Sequence, residues 1–316
     1  MRYLLVSYIK WTRRFFMKKR LEMRLKLLLS LIIIVILLPL LVTIAMQNLG
    51  LKTLMAKEQT DPMLQEEEKV IGIVAKEINI NSHREVIKAQ CVIARTNLMR
   101  ARENHTEEPL QLSKEEMKKL WGEEFETAYQ KISDCAMGTG GETLMWQGDY
   151  IYAAYHAVSS GRTRDISDLY KEADMPYLTG QECHEDTAAK GYLSASFVKK
   201  DKFLETCKTL FPDTGIKDPS EIVVEERDKS DYVLRMKAGE KECTGEEFRS
   251  AFSLSSSCFT LTELGDQVRI VTRGIGHGIG MSQNMAQVMA DAGKDYRQIL
   301  SYFYQGAEVE SAKKSQ

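Results

Sequence analysis

The stretch "RGIGHGIGMSQ", residues 273–283, surrounds His277 with four glycines and is followed by a pattern typical of a helix. Glycine adopts positive φ without steric cost and lets the backbone approach another group closely. The spacing does not match the dinucleotide fingerprint GxGxxG, whose last position would fall on Ile279 or Met281. A phosphate loop is also excluded, because no Gly-Lys-Ser/Thr follows. We therefore predict a tight corner that places His277 beside the N-terminus of the next helix, either as a ligand contact or as a structural residue.

The chain on either side of this loop predicts a mixed α+β fold. Before residue 140, apolar positions recur at helical spacing over 66–78, 84–103 and 113–132. We expect Ser82 to cap the second of these helices. After residue 140, aromatic and β-branched alternation bounded by glycine indicates strands. The predicted elements are a hairpin over 142–163, a helix over 195–210, two strands over 221–239, a strand over 267–273, and helices over 282–293 and 295–306.

The N-terminal part of the chain predicts a membrane anchor. Nine Lys or Arg residues precede residue 27 against a single acid, Glu22, and residues 27–46 carry no charge. Twenty residues at about 1.5 Å each span the roughly 30 Å hydrocarbon core, and Pro39 is tolerated there. A cleavable signal peptide is the alternative, but its apolar core should be only about 7–15 residues long.

We therefore divide the chain into five parts. They are a basic cytoplasmic segment (1–26), a transmembrane helix (27–46), a tether (47–66), one extracytoplasmic region (67–309) and a C-terminal tail (310–316). The basic flank stays in the cytoplasm, so we expect a single-pass cell-membrane protein whose C-terminal region is extracytoplasmic. The formal net charge of −2 gives no indication of nucleic acid as a partner.

The six cysteines lie in this outer region, where an oxidising exterior permits disulfides. They form no CxxC pattern, and Cys183 is the only one that is followed or preceded by a histidine. Two ligands do not make a zinc site. We expect buried thiols or one or two bridges, with neither a metal nor a cofactor.

Two charged side chains lie on or beside the apolar stripes of predicted helices. Glu77 follows Ile73 by four residues and Val70 by seven. A carboxyl held against apolar neighbours resists ionisation and can donate a proton, although Glu77 at the edge of the stripe would instead be solvated. Arg95 borders the buried side of its helix, where an arginine binds a carboxylate or an anionic ligand unless it extends to the surface. A serine hydrolase is a competing hypothesis, but no GxSxG elbow is present.

Six segments, in this order and over nearly all of residues 67–309, resemble the stage II sporulation protein D family. They are "GIVAKEI", "EVIKAQCVIARTNLM", "HAVSSGRT", "MPYL", "TGEEFRSAFSLSSSCF" and "GIGHGIGMSQNMAQVMADAGKDYRQILSYFYQGAEV". The resemblance implies a peptidoglycan lytic transglycosylase that cuts between N-acetylmuramic acid and N-acetylglucosamine and leaves a 1,6-anhydro end. It also implies a preference for glycan strands stripped of stem peptides, with a sporulation amidase and other engulfment membrane proteins as partners.

The family motifs also imply roles for particular residues. The Glu of the VxxE motif falls on Glu77 as the catalytic acid, and the Arg of KAQxxxARTxxL falls on Arg95 in the substrate cleft. The Gly-His-Gly and Ser-Gln positions fall on His277, Ser282 and Gln283 as substrate-binding residues near that cleft. We expect the backbone around His277 to approach the sugar, and Arg95 to lie near Glu77 without a full ion pair, since a direct pair would favour the ionised carboxylate.

The sequence departs from the family pattern at three places. Asn284-Met285-Ala286 replaces Tyr-Gly-Ala, and Ser160 stands where a second glycine is usual. Some members bind zinc through Cys and His near this second stretch; here His156 is present but Arg162 follows instead of a thiol, which argues against a metal. A second function remains open from the resemblance, a non-catalytic peptidoglycan-binding enhancer of a cell-wall amidase.

Overall fold

The computed structural model describes residues 62–311, together with residues 25, 26 and 44. The predicted transmembrane helix and its basic flank thus lie almost entirely outside the described residues. Among the residues that are described, no helix combines the length and the apolar character needed to cross a bilayer. The chain divides into Met1–Pro62 and Met63–Gln316, and the account below concerns the second unit.

This unit is a mixed α+β structure, as predicted. Its helices are α1 (Pro62–Glu77), α2 (Arg84–Glu103), α3 (Lys114–Trp121), α4 (Phe125–Gly138), α5 (Ile166–Leu169), α6 (Lys200–Leu210), α7 (Gly245–Ala251), α8 (Gln283–Asp291) and α9 (Tyr296–Phe303). Its strands are β1 (Glu142–Trp146), β2 (Asp149–Tyr150), β3 (Tyr155–His156), β4 (Leu193–Lys199), β5 (Val223–Arg227), β6 (Val233–Ala238), β7 (Lys241–Thr244), β8 (Phe259–Leu264), β9 (Gln267–Arg273), β10 (Met281–Ser282) and β11 (Glu308–Ser311).

Helix α2 forms the centre of a first hydrophobic core. More than half of its residues are buried, and it packs against α4, α8, α9 and β1. A helix that buries so much of its surface depends on the surrounding elements for its stability. The cap predicted at Ser82 is wrong by one residue: the Nδ1 atom of His83 accepts from the Glu85 amide over 3.2 Å, while the Ser82 carbonyl accepts from Lys131.

A second core lies between two antiparallel sheets and the helices α6 and α7. One sheet has the order β4-β9-β8 and the other β5-β6-β7. The apolar side chains between them include a cluster of aromatic rings in contact, from Phe203, Phe248, Phe252 and Phe259. Aromatic pairs at these separations add to the stabilisation from burial alone. The predicted strands over 221–239 and 267–273 are confirmed.

Several boundaries differ from the predictions. The helix predicted over 113–132 is two helices, because Gly122 adopts φ +53 between α3 and α4. The helix predicted over 195–210 begins only at Lys200, since residues 193–199 pair with β9 at every position and this pairing overrides local preference. Helix α1 begins at Pro62, a residue type suited to the first helical turn, so the predicted tether is helical over its last five residues. Strand β11 likewise includes the first residues of the predicted tail.

All six cysteines are buried and unbridged in the structure. The sequence left two alternatives, buried thiols or one or two disulfide bridges, and the structure shows buried thiols. Burial raises the pKa of the Cys207 and Cys243 thiols to about 12, which keeps them protonated and unreactive at neutral pH.

Candidate functional site

The glycine corner packs against the chain's own backbone. All four glycines have positive φ, and β10 at the end of the corner pairs in parallel with β3. A Cβ atom added to Gly280 would lie 2.0 Å from the carbonyl oxygen of Ala154, and one added to Gly276 would lie 2.7 Å from Cβ of His156. Three of these glycines therefore permit a close approach to residues 154–159, and Gly278 permits one to Tyr232. The approach of this backbone to a sugar stays a prediction.

His277 is half-buried within this corner and holds its shape. Its Nδ1 atom accepts from the Ile279 amide over 3.1 Å, so the proton of the neutral ring lies on Nε2. Burial lowers the pKa of His277, while the charge of Glu246 and a hydrogen bond with the backbone of Tyr155 act in the opposite direction. The ring thus links the corner to β3 and remains largely neutral at pH 7.

His156 lies behind His277, with 5.9 Å between the ring centroids. It is buried, its Nδ1 atom bonds to the Ile279 carbonyl over 3.0 Å, and Nε2 has no partner among the described residues. Burial lowers the pKa of His156 to about 3. A neutral His156 fits this buried position inside the corner.

Glu77 is the last residue of α1, and its side chain is 32% exposed. Its carboxylate interacts with the phenol of Tyr155: burial first, and then the charge and hydrogen bonding of Glu77, raise the pKa of Tyr155. The Lys76 ammonium lies 3.9 Å from Oε1, in an exposed pair that contributes little. Glu77 is therefore neither enclosed in the apolar stripe nor free in solvent, since a phenol on β3 orients it.

Gln283 connects the beginning of α8 to the end of α1. Its Nε2 atom donates to the Glu77 carbonyl over 3.0 Å and to Oε1 of Gln90 over 3.2 Å. The last carbonyls of a helix have no partner within the helix, so this amide satisfies one that would otherwise be unpaired. The side chain positions the backbone of Glu77.

Ser282 is fully buried, and its hydroxyl forms hydrogen bonds with groups inside the protein. Its hydroxyl donates to Oδ2 of Asp186 over 2.7 Å and accepts from the Met285 amide as the N-cap of α8. Asp186, also buried, accepts in addition from the Ser159 amide at 2.7 Å and from Nδ2 of Asn284 at 3.0 Å. The asparagine that departs from the family pattern thus supports this network.

Arg95 does not lie beside Glu77. It is 1% exposed and forms a bidentate ion pair with Glu67, at 2.9 Å from Nε to Oε1 and 2.6 Å from Nη2 to Oε2. Its remaining donors bond to the carbonyls of Glu142 and Ala136. Since Glu67 precedes Glu77 by ten residues on α1, about 15 Å of helix separates the ion pair from the catalytic candidate. This placement does not fit direct contact with a saccharide.

The structure thus joins Glu77, Gln283, Tyr155 and His277 in one chain of contacts. Tyr155 was not singled out from the sequence, because alternation there predicted a strand without showing which face each side chain would take. The neighbouring pattern "YHAVSSGRT" was the only available signal. In the described part of the chain, no group of three His, Cys, Asp or Glu side chains is placed to hold a metal ion.

Comparison with known proteins agrees with the resemblance drawn from the six segments. A family model described as "Stage II sporulation protein" matches residues 59–146, which include Glu77. The chain is 30% identical over 263 residues to stage II sporulation protein D of Bacillus subtilis (strain 168), which covers 78% of this chain and 74% of that protein. It is 28% identical over 260 residues to the protein of the same name from Bacillus amyloliquefaciens, with coverage of 78% and 74%.

These matches place the chain among bacterial sporulation proteins. It belongs to the stage II sporulation protein D family.

Proposed function

We propose that this chain is a membrane-anchored lytic transglycosylase that cleaves peptidoglycan glycan strands during sporulation, with Glu77 as both acid and base. The observation that carries the proposal is the position of Glu77: its carboxylate is 32% exposed beside Tyr155, and Gln283 donates to its backbone carbonyl over 3.0 Å. A carboxyl group that is partly exposed can contact a substrate, and a fixed orientation lets it present its proton to one particular substrate atom. The placement of Glu77 within the matched family segment supports the same role.

The reaction needs one carboxyl group. Protonated Glu77 gives its proton to the oxygen that bridges N-acetylmuramic acid and N-acetylglucosamine, and the bond from that oxygen to C1 breaks. The C6 hydroxyl of the muramic acid forms the new bond to C1 and returns its proton to the Glu77 carboxylate. The products are a 1,6-anhydro end and a free 4-hydroxyl, and no water is consumed.

A hydrolase acting on this bond normally uses two carboxylates about 5–10 Å apart, one of which activates water or attacks C1. Tyr155, Lys76 and Gln283 supply polar contacts to Glu77, and none of the three is a carboxylate. The proposed reaction needs no second carboxylate, because the substrate's own hydroxyl replaces water.

The remaining residues act as support in this proposal. Tyr155 would hold the Glu77 carboxylate in place while its partly exposed side meets the bridging oxygen of the substrate. Gln283 fixes the backbone of Glu77, and His277 fixes the strand that carries Tyr155. The 20-residue uncharged segment at 27–46 would anchor the protein so that residues 67–309 face the wall, where an amidase removes stem peptides first.

The test is the Glu77→Gln variant of the full chain, incubated with amidase-stripped glycan strands. Mass spectrometry should show anhydro-ended products falling by about 10²–10⁴-fold, the usual loss for a general acid. The matched control is Glu68→Gln, which changes an exposed carboxylate on the same helix and should retain activity. Undiminished anhydro products from Glu77→Gln would refute the role of Glu77. Stimulation of an amidase by a protein that forms no such products would favour the enhancer function instead.

A further inference from the structure

Strand β4 forms one edge of the β4-β9-β8 sheet, and no strand in the described part of the chain pairs with its other side. Six of its seven residues are exposed. Its pairing with β9 continues over all seven positions without a bulge. β4 therefore presents a regular and uncovered edge, which is the kind of surface to which another strand can add.

The backbone groups of alternate residues in β4 point away from β9. The Gly274 amide donates to the Tyr192 carbonyl over 2.8 Å, and the Lys200 amide donates to the Asp266 carbonyl over 2.8 Å. In an antiparallel ladder, residues that bond to the partner strand alternate with residues that do not. The residues that direct N–H and C=O groups to the free edge are therefore Leu193, Ala195, Phe197 and Lys199. None of these groups has a backbone partner on that side among the described residues.

The other edge strands of the second core have features that discourage such pairing. β5 contains register shifts and three charged residues in a row, 225–227. β7 is only four residues long and begins with Lys-Glu, and β8 carries Glu263. Charges, bulges and short length are the usual protection of a sheet edge. In β4 only the last residue, Lys199, is charged, so residues 193–198 lack all three.

The outer face of β4 is also apolar. Leu193 is 63% exposed and Phe197 is 58% exposed. They share a face with Ala195, because alternate residues of a strand point to the same side of the sheet. The opposite face carries Val198, which packs against the second core. A strand that paired with β4 would thus cover two large apolar side chains as well as the backbone groups.

The β4 strand of a second copy is complementary to this edge. An antiparallel pair centred on Ala195 places Leu193 opposite Phe197 of the second copy, twice by symmetry, and places Ala195 opposite itself. All three residues have backbone groups that point to the free edge, so the pair forms about six backbone hydrogen bonds. Aromatic and aliphatic side chains directly opposite each other stabilise a sheet.

The charges near this face do not oppose that register. Lys199 lies beyond the paired residues, opposite Gly191 of the second copy. On β9, Arg269 pairs with Phe197 and Arg273 pairs with Leu193. Three strand spacings, about 14 Å, then separate Arg269 from Arg273 of the second copy, which exceeds the screening length of about 8 Å in physiological salt. Like charges therefore do not meet across the pair.

We propose that β4 is a self-association edge through which two copies of this chain pair antiparallel over residues 193–197. Their three-stranded sheets join into one sheet with the order β8-β9-β4-β4-β9-β8. A single strand edge buries less than the roughly 1,200 Å² of a standard interface, so the dimer is weak and depends on local concentration. The membrane segment predicted at 27–46 would raise that concentration by holding copies in one plane. The proposal does not rest on the glycan chemistry proposed for Glu77.

Cysteine cross-linking of the full chain in detergent micelles tests the register. The proposed pair places Ser194 opposite Ser196 of the second copy, with Cα atoms about 4.5 Å apart, which a disulfide can span. Two copies of the same serine lie roughly 8 Å apart, which is too far. After oxidation with copper phenanthroline, a mixture of the Ser194→Cys and Ser196→Cys proteins should give a linked dimer on a non-reducing gel. Each variant alone should not, and neither should the parent protein, whose six cysteines are buried.

Sedimentation equilibrium in the same micelles tests the apolar contact. Phe197→Glu puts a charge into the interface twice and should raise the dimer Kd about tenfold or more. Leu264→Glu is the matched control, because it changes a residue that is 44% exposed on the opposite edge strand of the same sheet. This control should associate as the parent protein does. Thermal melts verify that both variants are folded.

Cross-linking in the mixture alone, together with weaker association of Phe197→Glu but not of Leu264→Glu, supports the proposal. It is overturned if the parent protein stays monomeric up to about 200 µM, or if each cysteine variant alone cross-links as well as the mixture. It is equally overturned if Phe197→Glu associates as the parent does, since the contact would then lie elsewhere. Cross-linking of Ser194→Cys to a different protein in sporulating cells, without a linked dimer in the mixture, would assign the edge to that protein instead. None of these readouts depends on cleavage of glycan, so the result is independent of the test on Glu77.

Discussion

The side-chain amide of Gln283 donates to the backbone carbonyl of Glu77 over 3.0 Å, although 206 positions separate the two residues in the chain. The bond ties the glycine corner and α8 to the end of α1. It connects two segments that belong to separate family motifs, the one that contains Glu77 and the one that contains Gln283. Through this bond Gln283 positions the backbone of Glu77.

Replacing Gln283 with Ala should lower the rate of anhydro-product formation about tenfold with a small change in KM. The reason is that the bond fixes the backbone that carries Glu77 and does not reach the substrate. The loss of a hydrogen bond should also cost about 1 kcal/mol of unfolding free energy. Steady-state kinetics and urea denaturation check both effects. A rise in KM with an unchanged kcat would instead indicate that Gln283 contacts the sugar.

Replacing Tyr155 with Phe removes the hydroxyl that orients Glu77 and keeps the half-buried ring. Because burial and the charge of Glu77 raise the pKa of Tyr155, the hydroxyl keeps its proton around neutral pH and can act as a donor. We expect activity to fall about 10–100-fold, as for removal of a group that orients a general acid. Tyr152→Phe is the control, since that tyrosine is exposed on the same segment. Equal activity of the two variants would show that Glu77 needs no phenol.

Replacing Arg95 with Met should destabilise the fold by about 3–5 kcal/mol, because it leaves the Glu67 carboxylate buried without its partner. The double variant with Glu67→Gln should recover part of that loss, since no uncompensated charge then remains. Denaturant unfolding of both variants measures this. If Arg95→Met kept full stability and lost substrate affinity, the structural role would be wrong and the cleft position implied by the family would be right.

Gly280→Ala should prevent normal folding or cost more than about 4 kcal/mol, since its Cβ would meet the Ala154 carbonyl oxygen at 2.0 Å and its φ is +68. Gly265→Ala is the matched control. Its φ is +62, but nothing lies within 4 Å of the added Cβ, so only the backbone conformation contributes, about 1 kcal/mol. Thermal melts of the two variants separate the close contact from the strained φ. Similar melting temperatures would contradict the packing of the corner on residue 154.

Stability should fall with acidification below pH 6.5. The pKa of His156 is lowered by burial from 6.5 in the unfolded chain to about 3, so between these values the unfolded state binds more protons and unfolding becomes easier as the pH drops. The loss is about 1.4 kcal/mol for each pH unit inside that window. The pKa of His277 is lowered too, which acts in the same direction.

The variant His156→Asn should have a shallower dependence of unfolding free energy on pH between 6 and 4. His184→Asn serves as the control, because that side chain is 80% exposed and should leave the slope unchanged. Urea titrations at several pH values provide the slopes. Equal slopes for the parent protein and His156→Asn would contradict the prediction, because they would show that protonation of His156 does not destabilise the folded state.

The sequence by itself determined the mixed α+β class, the buried helix over 84–103 and the two helices near the C-terminus. The reason is that hydrophobic periodicity and turn-forming residues are local properties of the chain. Its six ordered segments also determined the family, with Glu77 and Gln283 among the marked residues. Tertiary structure decided which side chains meet. It placed Tyr155 on Glu77 and Arg95 in an ion pair with Glu67, and it made β4 a strand through pairing with β9. The physical reason is that these contacts join residues distant in the chain, and local spacing does not specify which partner a buried charge or an edge strand will find.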